Sequence, residues 1–214
     1  MAGVPFREPG WAEIFIPLQA IEVHNIHIDE PKKLIGPGIP SYAIDRPIAL
    51  LSYSTSLFRM PTLGILTPFL KIHSWDSTTG KLELDITSDP IVSTKYFMIQ
   101  EHILNLLSSK PQWLFPHTRS KEDLRANFQE FIHEDILTIY LHGPNPEKKQ
   151  TGRVWIWRDD EWQKGAGPNS FKKGQQIRVA LRFQGVCFLQ TPAKKMRYRI
   201  QHQTVTIFQK QTIV

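Results

Sequence analysis

The chain has 214 residues, 41% hydrophobic and 21% charged, a globular composition rather than that of a disordered tail. One cysteine, Cys187, excludes an internal disulfide, and no apolar run reaches the ~20 residues needed to span a bilayer. MAGVPFREPGWAE at the N-terminus lacks the apolar core of a secretory signal, so a cytosolic or nuclear, non-secreted protein is expected, with no membrane partner. The net charge of +6 is unevenly spread. Residues 148–214 hold 14 of the 26 Lys and Arg and only three acids, Asp159, Asp160 and Glu161, so that third is +11 and residues 1–147 are −5. Three of the six Trp lie in the same basic third. Phosphates attract Lys and Arg, and unpaired bases stack on flat rings.

In chain order, residues 1–10 read as a flexible lead. Residues 18–28 (LQAIEVHNIHI) alternate as a strand does. Residues 30–47 carry Pro31, Pro37, Pro40 and Pro47 with Gly36 and Gly38, a density that leaves only a loop or arm. Strands are expected at 48–55, 64–75 and 81–87, the last two joined by a DSTTG turn. Tyr96, Ile99, Ile103, Leu106 and Leu107 share one helical face over 95–109, and Pro111 stops that helix. A second helix is expected over 121–132, capped by Ser120. From 136 the strand period returns, at 136–142, 153–158, 176–190 and 197–209, with GPNPEKKQTG as a long basic loop. One domain over 1–214 is expected: an extended N-terminal segment to residue 47, then a core over 48–214. The class is mainly β with two helices, arranged as an OB-like β-barrel with extensions; a β-sandwich is the alternative.

The basic third holds the candidate chemistry. Arg178, Ala180, Arg182 and Gln184 share one face of their strand, and Val179, Leu181 and Phe183 the other. Arg197, Arg199, Gln201 and Gln203 likewise oppose Tyr198, Ile200 and His202. Two such strands side by side would form a basic floor, suited to Arg because its planar fork grips phosphate and stacks on bases. Arg153, Trp155 and Trp157 alternate with Val154 and Ile156. If the aliphatics supply the core the Trp rings face outward; if the Trp supply it the strand is ordinary. Trp162 falls in a polar stretch, DDEWQKGAG, read as a turn, and is the better stacking candidate. The loop from Gly165 to Gly174 carries Phe171, Lys172 and Lys173, a flexible basic aromatic finger in which Phe171 either touches ligand or plugs the end of a strand. No glycine-rich phosphate loop is present, and one cysteine cannot build a Cys–His zinc set. No catalytic residue, metal site or cofactor is expected; Cys187, in GVCFL, reads as a core thiol.

SLFRMPTLGILTPFLKIHSW followed by GKLELDIT, then the apolar FMIQEHILNLL, and at the end FKKGQQIRVALRFQGVCFLQTPAKKMRYRIQHQTVTIF, together resemble the OB-fold single-stranded DNA-binding proteins of phages and nucleocytoplasmic large DNA viruses. The resemblance covers about residues 50–210. It implies a non-enzymatic protein of the host nucleus or cytoplasm that coats single-stranded DNA, or RNA, without sequence specificity during replication, recombination or repair of a viral or mobile genome. It implies homo-oligomers and replication proteins such as a polymerase as partners. The chain ends QKQTIV, without the acidic tail through which phage members recruit such partners. By the resemblance the strand would lie on Lys71, Arg153, Trp155, Trp157, Trp162, Lys172, Lys173, Arg178, Arg182, Arg197 and Arg199, with Phe171 beside them. Two rival functions are a nucleocapsid-like structural subunit and a metal-dependent nuclease built on Asp76, Asp85 and Asp89.

Overall fold

The computed structural model describes residues 14–33, 47–114, 120–141, 154–190 and 196–210. The expected flexible lead, most of the Pro-rich segment and the GPNPEKKQTG loop lie outside them. The described chain is mainly β with two α-helices. The N-terminal part supplies β1 (Ile16–Pro17), β2 (Ile26–Ile28), β3 (Lys32–Lys33) and β4 (Pro47–Ser54). Next come β5 (Arg59–Met60), β6 (Leu63–Leu66), β7 (Leu70–Asp76) and β8 (Lys81–Asp85). Helices α1 (Pro90–Ser108) and α2 (Lys121–Ala126) follow, then β9 (Phe128–Gln129), β10 (Ile132–His133) and β11 (Ile136–Tyr140). The basic third forms β12 (Trp155–Arg158), β13 (Glu161–Lys164), β14 (Gln176–Gln190) and β15 (Met196–Gln209).

The long antiparallel hairpin of β14 and β15 is the axis of a mixed sheet with the path β10-β11-β8-β7-β14-β15-β12-β13. One edge of β14 is shared in turn by β7, β6 and β4. The far edge of β15 takes β12 and β9, both parallel. The ends of the path, β10 and β13, do not pair with each other, so the sheet is open among the described residues.

Two bulges break the hairpin register. Ala180 faces Thr206 but Leu181 faces Thr204, which leaves Val205 extra; Phe183 faces His202 but Gly185 faces Gln201, which leaves Gln184 extra. Each bulge reverses the phase in which side chains alternate. At Gly185 the crossing strand β4 comes so close that a Cβ would lie 2.4 Å from the Ala49 carbonyl oxygen and 2.8 Å from Ile48 Cγ1. Glycine is the only residue that fits there.

Helix α1 explains which side of the sheet is inside. Val92, Tyr96, Ile99, Ile103, Leu104 and Leu107 are buried along it. Tyr96 lies 5.9 Å from Phe183 of β14 and 6.2 Å from Phe131, ring centre to ring centre. The helix is also tied to the N-terminal segment: Lys95 Nζ donates to the Ile21 carbonyl at 2.8 Å, and His102 Nε2 lies 3.0 Å from the Ile26 carbonyl. Burying such side chains contributes about 1.5–3 kcal/mol each. The opposite face of the β12–β15 region, with Trp155, Trp157, Phe208 and Arg178, is left as an outer surface.

Several expected boundaries shift for local reasons. Residues 18–28 do not run as one strand: two 3-10 turns, Leu18–Ala20 and Val23–Asn25, precede β2, and Leu18 and Ile21 are buried three residues apart. Residues 64–75 split into β6 and β7 at Thr67-Pro68-Phe69. Pro68 has no N–H for a ladder. Thr67 donates its N–H to the Val179 carbonyl, and its hydroxyl accepts the Val179 N–H, both at 2.9 Å. Helix α1 begins at Pro90, before the expected 95, because proline is favoured in a first turn. Helix α2 is capped as expected, with Ser120 Oγ accepting from Asp123 N at 3.1 Å. It ends at Ala126 rather than 132, and Phe128 turns into β9, buried beside Tyr198 of β15.

Candidate functional site

The basic third does not contain a polar turn at Trp162. Asp159 and Asp160 have φ of 51° and 61°, a two-residue type I′ hairpin, and Trp162 stands on β13 opposite Trp157 of β12. Val154 and Ile156 are 1% exposed and supply the core, so the Trp of β12 take the outer face. Trp155, Trp157 and Trp162 are each half-buried by one another. The Trp162 ring lies 4.9 Å from Trp157, 6.5 Å from Trp155 and 5.9 Å from Phe208, and Lys164 Nζ stands 5.4 Å from the Trp155 ring centre.

The sheet register joins these rings to the arginines. Trp162 pairs with Trp157, Trp157 with Phe208, and Phe208 with Arg178, so four neighbouring strands place these side chains in one transverse row. The row spans about 14 Å at the usual strand spacing. Beyond it Phe69, freed from the ladder by the break at Pro68, carries the Arg178 guanidinium 4.7 Å above its ring, with Lys210 Nζ at 5.9 Å. Such contacts leave the cations' hydrogen-bonding edges available. The Nε of Arg178 is buried without a hydrogen-bond partner among the described residues. A groove of about 550 Å³ runs here, between Phe69, Arg178 and Lys210 on one side and Trp157 and the Asp159–Asp160 turn on the other.

Further along the hairpin the outer face changes character. Arg182 Nη1 donates to Gln203 Oε1 at 3.1 Å, and Gln184 Nε2 reaches the same oxygen at 3.4 Å. Gln201 Nε2 donates to Gln184 Oε1 at 2.9 Å, and the Cys187 thiol donates to Gln201 Oε1 at 2.7 Å. Burial presses the Arg182 pKa below its ordinary value. Arg178 and Arg182, four residues apart, are separated by about 13 Å along the strand. The expected basic face is therefore one face geometrically, but its middle is a ladder of amides bonded to one another. Arg199, half-buried, and Arg197, exposed, continue it opposite Cys187 and Leu189.

The expected aromatic finger is corrected. Phe171 is 6% exposed and packs edge-on against Trp75 at 5.1 Å, so it plugs the core rather than facing outward. The loop is pinned: Gly174 N donates to the Ile72 carbonyl at 2.8 Å, and Arg158 binds both Gln209 Oε1 and the Ser170 carbonyl. Lys172 and Lys173 are exposed on that turn, and Lys71 is exposed on β7 beside Gln176. Arg153 lies outside the described residues. Cys187 is buried as expected, but on the amide ladder rather than in the apolar core, because the bulge at Gln184 turns it outward.

Asp76 and Asp85 are committed to local structure. Asp76 accepts from Thr78 N at 2.8 Å and from the Thr79 hydroxyl at 2.6 Å, and Asp85 from Thr87 N at 2.9 Å and its hydroxyl at 2.6 Å. These bonds hold both carboxylates below the usual range. Among the described residues no three His, Cys, Asp or Glu converge to hold a metal, and no helix is long and apolar enough to cross a membrane.

Phe69, Phe208, Lys210 and the paired acids of the turn were not among the expected site residues. The signal for Phe208 and Lys210 was their alternation with Ile207 and Gln209, out of phase with Arg197–Gln203 because Val205 is a bulge. No family model matches the chain, and no curated protein or solved structure shows significant similarity to it.

Proposed function

We propose that the protein binds single-stranded nucleic acid, DNA in the first instance, without catalysing a reaction on it. The observation that carries this reading is the row Trp162–Trp157–Phe208–Arg178, ending on Phe69. Rings offer stacking surface to any base, and Arg178, Lys210 and Lys164 beside them offer charge to phosphates. Lys71, Lys172, Lys173, Arg197 and Arg199 extend the positive field along the same molecule. An OB-like barrel belongs to the same proposal: two bulges interrupt the β14–β15 register, the device by which barrel strands bend, and α1 packs Tyr96 against Phe183 on the inner side. Coating of strands in replication, recombination or repair, self-association, and contact with a polymerase follow as proposals from this reading.

The test is fluorescence-polarisation titration with labelled dT30, rU30 and a 30-bp duplex at 50 and 200 mM salt. Tight, salt-sensitive binding to dT30 over duplex is expected, with log K falling by about 0.7 per phosphate contact per decade of salt. Equal binding to all three would show generic charge and favour a packaging role; no binding to dT30 at low salt would end the reading.

A further inference from the structure

We infer that the groove between Phe69 and the Asp159–Asp160 turn holds one base of the bound strand and selects it by its amino group, favouring cytosine, adenine and guanine over thymine and uracil. This rests on the strand-binding reading. At about 550 Å³ the groove lies within the ordinary size range of small-ligand clefts. Phe69, Trp157 and Phe208 give it ring surfaces, and Leu66 adds an apolar wall.

The polar groups around it are of both signs. Gln209 is already committed: its Oε1 accepts from Arg158 and Gln175, and its Nε2 donates to the Ser170 carbonyl at 2.9 Å. Arg178 lines the groove half-buried, with its Nε buried and without a hydrogen-bond partner among the described residues, and Lys210 lines it exposed. The carboxylates of Asp159 and Asp160 are exposed and accept no hydrogen bond from a described residue. Two carboxylates repel a phosphate. They suit a group that donates, as a carboxylate accepts the exocyclic amine of cytosine. A base edge presents donors and acceptors side by side, so the acids can accept from its amine while Arg178 or Lys210 donates to its carbonyl or ring nitrogen. Thymine and uracil have no exocyclic amine to offer.

Polarisation titration of the full chain with dC30 and dT30 at pH 7.5 tests this, alongside Asp159→Asn/Asp160→Gly. Asn-Gly is the favoured pair for a two-residue type I′ turn, so the hairpin is kept while both carboxylates are removed. The wild type is expected to bind dC30 roughly tenfold more tightly than dT30, the effect of one hydrogen bond to a charged group. In the variant the two oligonucleotides should bind within about twofold of each other, with dT30 binding retained or strengthened. Equal wild-type binding to dC30 and dT30, or a preference that survives in the variant, overturns the inference while leaving strand binding intact. Failure of the wild type to bind either oligonucleotide overturns strand binding itself, and the inference with it.

Discussion

From Arg182 to Cys187 the outer side chains of the β14–β15 hairpin bond one another through amides; from Arg178 across to Trp162 they meet through rings and a stacked guanidinium. The first stretch is a chain of amides in which Gln201 and Gln184 each accept and donate in turn, and Gln203 accepts from Gln184 and Arg182. The second has rings packed edge to face, a guanidinium stacked on Phe69, and exposed charge at Lys210, Asp159 and Asp160. Both use residues that alternate on the strands of one sheet. A polar face whose groups are mutually satisfied stabilises the fold, whereas rings and cations with open edges are available to a ligand.

The comparison can be broken most severely where β4 crosses the amide end. Gly185→Ala should destabilise the protein by about 3 kcal/mol, since the new Cβ meets the Ala49 backbone; a denaturant midpoint measures it. A nearly equal effect is expected from pH. His202, edge-on to Phe131 at 4.8 Å, is pushed down to about 4 by burial, and secondarily by Arg199. The folded ring stays neutral while the unfolded chain protonates below about 6.5, so stability should fall between pH 6.5 and 4 by at most about 3 kcal/mol. His202→Gln should flatten that part of the profile.

The aromatic end should respond in binding instead. Trp157→Ala should cost about 1–3 kcal/mol of affinity for dT30, read by polarisation, with much less change in the unfolding midpoint than Gly185→Ala. Gln201→Ala should do the reverse: about 1 kcal/mol of stability, because Gln184 and Cys187 each lose a partner, and affinity within about twofold. The smallest expected effect is on salt dependence, where Arg178→Ala should lower the slope of log K against log salt by about 0.7.

The long strands 176–190 and 196–209 were readable because aliphatic and polar residues alternate over many positions, and α1 because its apolar residues keep one helical face. The Ser120 cap was readable from residue type alone. Alternation could not say which face of RVWIWR is buried; that is decided by Ile156 lying beside Ile207 of β15, a contact about fifty residues away in sequence. The two bulges hid more. Simple alternation puts Cys187 in the core phase of Phe183 and takes Phe208 out of the phase of Arg199, and both assignments reverse once Gln184 and Val205 drop out of register. Trp162 is among the expected site residues but was expected in a turn, because DDEW reads as a polar turn, when only Asp159 and Asp160 form it and Trp162 stands on β13. Residue type alone leaves Phe171 between ligand contact and a strand-end plug, because its Lys neighbours are charged; its ring meeting Trp75 decides for the plug.

The most direct test of the central claim, that the ring-and-guanidinium end of the hairpin face carries the strand, is dT30 polarisation at low salt with two double variants of matched stability. Arg178→Ala/Trp157→Ala should weaken binding by roughly 30-fold or more, and Gln184→Ala/Gln201→Ala should leave it within about twofold. Equal losses in the two variants, or a larger loss from the glutamine pair, would contradict it.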